Sequence, residues 1–232
     1  MNVLIGIGAQ VKLARLLVTT DTRADTGDLT QFLEAVVTGG ADVVRIHEPG
    51  LDHDVELAAL RTAWDVAARH RHLVMVSDSA VLAADFGADA VHLTDAGDAD
   101  SLAEFRSHLG HYTRLGSTAS DSAELNRLLA EPAIDFVLVN AEDDFALAAE
   151  AATLAPVGTL ESKPWYAAGE YDLQRLEQAL AAGVRRIAVR DTLTRAEDPH
   201  RTALQLSQRL REFWSADPDL TRLTFAALAE QA

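Results

Sequence analysis

Eight places in the chain set polar side chains directly after a short apolar run. In order they are Thr20-Asp21, His47-Glu48, Ser77-Asp78, Thr94-Asp95, Thr118, Asn140 through Asp144, Gly169-Glu170 and Arg190-Asp191. Seven of the eight carry an acid. Carboxylates that converge from separate segments make an oxygen-ligand site for a hard cation such as Mg²⁺. Asp78 follows a buried-looking run and sits between two serines, so it is the first candidate ligand, with Asp95 and Asp98 as companions. Cations are few: Arg45, His47 and Arg190, with Arg23 close by in sequence to the first acid. Arg45 and His47 share a parity and point to the same side of a strand. The same acids have a plainer use as helix N-caps, because Asp, Ser and Thr are favoured where a loop enters a helix.

Other chemistries find less support. Cysteine is absent, which excludes disulfides, thiol nucleophiles and cysteine-ligated zinc. The eight histidines show no ligand spacing beyond His70-Arg71-His72, a helix-to-strand turn. His92 sits mid-run in Val-His-Leu and reads as a buried, hydrogen-bonded residue. Gly6-Ile7-Gly8 lacks the third glycine and the strand–helix setting of a dinucleotide fingerprint.

The elements that must carry these residues follow from a repeat. A helix, a Gly/Ala turn and a short apolar run recur with equivalent positions at 42, 89, 135 and 185, in steps of 47, 46 and 50. That period is about twice one βα unit, so each period predicts a further strand. The predicted strands are Arg15–Thr19, Val43–Ile46, Leu73–Val76, Ala90–Leu93, Thr113–Gly116, Phe136–Val139, Trp165–Ala168 and Ile187–Val189. Helices are expected between them, including Val55–His70 after Asp54, Ala80–Phe86 after Ser79, Ser101–Leu109 and Pro199–Trp214 after Asp198. Eight strands alternating with eight helices predict a single (βα)₈ TIM barrel over residues 14–214. Residues 1–13 and 215–232 are then extensions. Met1 to Gly8 reads as an extra strand, a plug for the barrel floor or a loose leader, and the C-terminal extension reads as one short helix. Trp64 and Trp214 read as outer-layer packing. In this fold chemistry sits at the C-terminal ends of the strands, where the polar pairs lie.

The 232 residues carry 20 basic and 36 acidic side chains, a net charge of −16. Such a balance disfavours nucleic acid and anionic membrane as partners. The absence of cysteine, of a basic leader and of a long apolar stretch leads us to expect a cytoplasmic protein. The expected partner is a small-molecule ligand or a protein at the barrel mouth, and a homo-oligomer stays open.

The strand ends resemble those of the thiamine phosphate synthase family, from about Ala14 to Trp214. The segments that carry the resemblance are Leu16–Asp21 (LLVTTD), Gly39–Gly50 (GGADVVRIHEPG), Val76–Leu93 (VSDSAVLAADFGADAVHL), Lys163–Gly169 (KPWYAAG) and Ala181–Pro199 (AAGVRRIAVRDTLTRAEDP). The resemblance implies a barrel that joins a pyrimidine pyrophosphate to a thiazole phosphate with Mg²⁺ help. It places Arg45, His47 and Thr118 in catalytic roles, Ser77, Gly169 and Arg190 in binding roles, and Asp78, Asp95 and Asp98 in metal roles.

Several of the family's motif positions are altered. The Gln, Arg and Lys of its second strand fall on Arg45, His47 and Pro49, and the Arg after its metal Asp falls on Ser79. The family's second metal Asp falls on Gly97, beside Asp98. Its lysine-bearing loop after strand 6 is missing, and its Gly-Gly pair on strand 7 is Gly169-Glu170. The tautomerase subgroup's histidine falls on Ser120. Two unit charges at ~4 Å interact by about 4 kcal/mol at an effective dielectric of ~20. The lost cations at Pro49 and Ser79, the weaker one at His47, and the acids at Asp95, Glu170, Asp191 and around Asp143, which repel phosphate, therefore compete with the ~8 kcal/mol of micromolar binding. Three readings stay open: a family member with little or no synthase activity, a divergent active synthase, and a repurposed barrel whose acidic mouth takes a metal or a cationic molecule.

Overall fold

A computed structural model describes residues 6–229 of the chain. Eight parallel strands close in sequence order into a barrel, β1 pairing with both β2 and β8. The strands are β1 (Leu16–Thr20), β2 (Val43–Ile46), β3 (Leu73–Ser77), β4 (Ala90–Leu93), β5 (Arg114–Ala119), β6 (Phe136–Asn140), β7 (Trp165–Ala168) and β8 (Ile187–Val189). Their residues are almost wholly buried, as short apolar runs covered on both faces must be.

Alternate residues divide into two cores. Leu16, Val18, Val44, Val76, Val91, Val137 and Val189 face the surrounding helices. Leu17, Val43, Met75, Ala90, Phe136, Leu138, Tyr166 and Ala188 fill the barrel interior. Phe136 occupies so much of that interior that a Cβ at position 116 would lie 2.2 Å from its ring, which is why β5 carries Gly116. Strand β5 runs further than the expected Thr113–Gly116, because its C-terminal half pairs with β6 through Ala119.

The helices are α1 (Ile7–Leu13), α2 (Leu29–Thr38), α3 (His53–Ala67), α4 (Ala80–Phe86), α5 (Ala99–Ser107), α6 (Ser122–Ala130), α7 (Ala146–Leu154), α8 (Leu173–Ala181), α9 (Asp191–Thr194), α10 (Pro199–Ala216) and α11 (Pro218–Ala229). Side-chain caps start several of them: Asp52 for α3, Ser79 for α4, Asp121 for α6, Asp172 for α8 and Asp198 for α10. Helix α3 therefore begins two residues before the expected Val55, and a 3₁₀ turn over Ala68–His70 ends it.

The N-terminal extension supplies the floor. Met1 to Ile5 lies outside the described residues, but residues 7–13 are helical rather than extended. Tyr166 on β7 donates to Val11 O at 2.6 Å. Arg186, buried just before β8, donates twice to Lys12 O. Burial lowers its guanidinium to about 10. Helix α11 is the single short helix expected at the C-terminus, with Leu220, Leu223 and Ala227 buried and Thr224 Oγ1 accepting from Trp214 Nε1. Trp214 is packed as expected, whereas Trp64 on α3 is 53% exposed. Among the described residues no helix is long and apolar enough to cross a membrane.

Candidate functional site

The polar residues expected at the strand ends do gather at one mouth, and the mouth has two unlike halves. Over β2–β5 the inward positions are Arg45, Ser77, His92 and Thr118. Arg45 is only 7% exposed. Its Nε donates to Ser77 Oγ at 2.9 Å, and Ser77 Oγ in turn donates to Ile46 O at 2.8 Å. Burial is the main cause that brings Arg45 down to about 10, with nearby Arg190 adding to it and Asp78 opposing it. Thr118 Oγ1 lies 3.1 Å from His92 Nε2. His92 is 1% exposed, and burial pushes its pKa well below that of an ordinary histidine, so the ring is neutral. This is the buried, hydrogen-bonded role read from the sequence.

Asp78 stands just beyond β3 with φ of 55°, a left-handed conformation that costs a non-glycine residue some strain. Three hydrogen bonds hold it there. Its N–H donates to His92 O at 3.0 Å, Oδ1 accepts from Thr94 N at 2.6 Å, and Oδ2 accepts from Thr94 Oγ1 at 2.8 Å. His47 Nδ1 lies 3.6 Å from the same carboxylate. Burial lowers the His47 pKa, Arg45 adds to the lowering and Asp78 opposes it. A cavity of about 370 Å³ opens here, lined by His47, Glu48, Glu56, Ser77, Asp78 and Thr94 among others. Burial raises the Glu56 carboxyl, and the charges of Asp78 and Glu48 push the same way.

The expected metal set is not assembled. Asp95 Oδ1 accepts from Gly97 N at 2.8 Å, and Asp98 Oδ1 caps α5 through Ser101 N at 2.9 Å. Asp78 spends both oxygens on Thr94. Among the described residues no three His, Asp or Glu side chains are grouped to hold a metal ion. Mg²⁺ is usually held through one or two carboxylates together with substrate phosphates, so of the expected set Asp78, which lines the cavity, is the residue that fits such a partial site.

Over β6–β8 the mouth is closed on itself. Gly169 follows β7, and its N–H donates to Ala188 O at 3.0 Å. A Cβ there would meet Ala141 O at 3.1 Å, so the residue makes room for the loop after β6 rather than for a ligand. Arg175 NH2 donates to Ala141 O at 2.6 Å and to Glu142 O at 2.5 Å, holding that loop down. Its guanidinium also stacks over Phe145, 5.0 Å from the ring centre.

Glu170 reaches the first turn of α9. Its Oε1 accepts from Asp191 N at 2.9 Å, and its Oε2 accepts from Thr192 N and, at 2.6 Å, from Thr192 Oγ1. Barrel enzymes commonly bind phosphate with the loops after strands 7 and 8 and the N-terminus of a short extra helix. Here a side chain of the chain itself takes those donors. Sequence reading identified Glu170 as repulsive to phosphate but missed α9 and Arg175. Neither of the chain's two lysines serves the mouth, because Lys12 and Lys163 precede β1 and β7 on the opposite face.

A closed eight-stranded parallel barrel with its polar residues at the strand C-termini is the architecture of a TIM-barrel enzyme scaffold. Comparison narrows this. The family model for thiamine monophosphate synthase matches residues 16–193, and the chain belongs to that family. It is 36% identical over 209 residues to a thiamine-phosphate synthase of Thermobifida fusca (strain YX), covering 87% of this chain and 94% of that one. It is 33% identical over 219 residues to a thiamine-phosphate synthase of Mycobacterium sp. (strain KMS), covering 88% and 96%. Among solved structures, a thiamine phosphate pyrophosphorylase from Pyrococcus furiosus superposes with a TM-score of 0.71 at 19% identity, covering 88% of this chain and 98% of that one, a likeness of fold.

Proposed function

We propose that this chain is a synthase-family barrel whose synthase turnover is low or absent, its mouth having exchanged phosphate binding for hydrogen bonds within the protein. The observation that carries the reading is the Glu170 carboxylate on the N–H groups of Asp191 and Thr192. A phosphate arriving there would have to displace a fixed anion. Pro49, Ser79 and the missing lysine loop remove further positive charge, and leaving pyrophosphate needs cations to absorb it. Arg45, His47 and Thr118 are the residues that remain to handle a ligand.

A second reading, an active synthase, is favoured by the family match and by 36% identity to a relative of that name over most of both chains. In it Asp78 is the surviving metal residue, and a bound Mg²⁺ would supply charge for the departing pyrophosphate. The third reading from the sequence, an acidic cation-binding mouth, rests on the cavity edged by Glu48, Glu56 and Asp78.

One assay separates the first two. Purified protein is incubated with the pyrimidine pyrophosphate, the thiazole phosphate and Mg²⁺, and thiamine phosphate is measured. No product above background is expected. Sustained turnover that disappears in Asp78→Ala overturns the proposal in favour of the active synthase. In a parallel titration, Glu170→Gly is expected to bind inorganic phosphate at least tenfold more tightly than the unaltered protein.

A further inference from the structure

The geometry points to a binding site for a small monocarboxylate on the β8–β1–β2 side of the mouth, built from Arg45, Thr19 and Arg190. The inference rests on the reading that the mouth no longer takes pyrophosphate. Three neighbouring inward positions form a row. Thr19 pairs in register with Arg45, and Val18 pairs with Val189, so Arg190 is the next residue alongside Thr19. The row presents a guanidinium, a hydroxyl and a second guanidinium.

What marks the row as a ligand site is the state of Arg45. A buried guanidinium is ordinarily paired with a carboxylate, because desolvating the charge is costly. Arg45 is more than nine-tenths buried, and the bond from Nε to Ser77 is its one hydrogen bond. Among the described residues it makes no ion pair within 4.0 Å, and the charges that act on it are those of Asp78 and Arg190. Among the described residues its two terminal NH₂ groups have no hydrogen-bond partner, and neither is sealed from solvent, so they open onto the mouth. Thr19 is also buried, and its hydroxyl takes part in no hydrogen bond among the described residues. Arg190 is weakly paired: Asp191 lies 4.0 Å away and is held at 3.0 Å by Arg195. An arginine fork matches a planar carboxylate in two parallel hydrogen bonds. A single negative charge suits two guanidiniums better than a polyanion does, since Glu48, just past β2, and Glu170, just past β7, would repel extra charge.

The test is a set of thermal-shift and calorimetric titrations at constant ionic strength with acetate, pyruvate, benzoate, inorganic phosphate, and pyrophosphate with Mg²⁺. Saturable binding of at least one monocarboxylate is expected, weakened tenfold or more in Arg45→Gln, less in Arg190→Gln and Thr19→Val, and unchanged in Arg209→Gln on the outer surface. Should Arg45→Gln fail to fold, the Arg190 and Thr19 variants carry the test. Absence of saturable binding by every carboxylate, or binding indifferent to all three mouth variants, overturns this site and leaves the proposed function standing. Phosphate binding more tightly than every carboxylate overturns the assigned class. Tight pyrophosphate binding with Mg²⁺ overturns the proposed function instead.

Discussion

The two halves of the mouth spend their polar groups differently. Over β6–β8 most polar groups turn inward, Arg190 and the buried Arg175 Nε excepted: Glu170 takes the first N–H groups of α9, Arg175 holds the loop after β6, and Gly169 is packed against Ala141. Over β2–β5 there is a cavity past the ends of β2, β3 and β4, a strained Asp78, a neutral buried His92 and an arginine with unused N–H groups. A self-satisfied region gains stability and loses the means to bind. A region with unspent donors keeps the means to bind and pays for it in stability. The contrast says where in this barrel a ligand is still to be sought.

The sharpest way to break the contrast is to unpack the closed half. Gly169→Val places side-chain atoms against the Ala141 carbonyl and is expected to cost about 3 kcal/mol by overpacking, read by chemical denaturation. An unchanged midpoint would mean that the loop is not held down. Glu170→Ala removes a carboxylate from charge-assisted hydrogen bonds and is expected to cost about 2 kcal/mol; a neutral result would show that solvent replaces it freely. Arg45→Met should do the reverse. Replacing a buried, unpaired charge with an apolar side chain of similar length is expected to stabilise by about 1 kcal/mol while abolishing carboxylate binding. Destabilisation there would show that Arg45 is structural.

A further expected effect concerns pH. The His92 pKa is lowered by burial, so below about pH 6.5 the unfolded chain takes up a proton that the folded one refuses. Stability should fall as pH drops through that range, by at most about 1.4 kcal/mol per pH unit for this one group. His92→Gln should flatten that slope, and a slope that stays the same would assign it to other groups, His47 and His72 among them.

Much of the barrel was legible because a repeat near 47 residues states the βα alternation twice in each period. β5 was the faintest strand because Gly116 breaks its apolar run, and the reason for that glycine, the Phe136 ring, lies on the next strand. The site was legible in its parts and not in its partners. Parity placed Arg45 inward, and charge marked Glu170 as hostile to phosphate. Nothing local said that Glu170 would fold onto α9, a single turn too short to show a helical period. Asp98 did carry a visible cap signal, three residues before Ser101, and the structure uses it so. A floor plug was one of the readings for the N-terminal segment, but the helical form of α1 and its bond to Arg186 were missed, because the floor is assembled by contacts remote in sequence, which periodicity does not report.

Those floor contacts bear on how the chain folds. The bond from Tyr166 to Val11 spans 155 residues and the bonds from Arg186 to Lys12 span 174. As the chain leaves the ribosome, α1 emerges long before β7 and β8 and must wait for them before its carbonyls are claimed. Long-range closure of this kind slows folding and prolongs the exposure of unpaired strand edges. We expect the last step of barrel formation to be the seating of α1, so that a chain shortened past Lys12 would lose the latch that completes the ring.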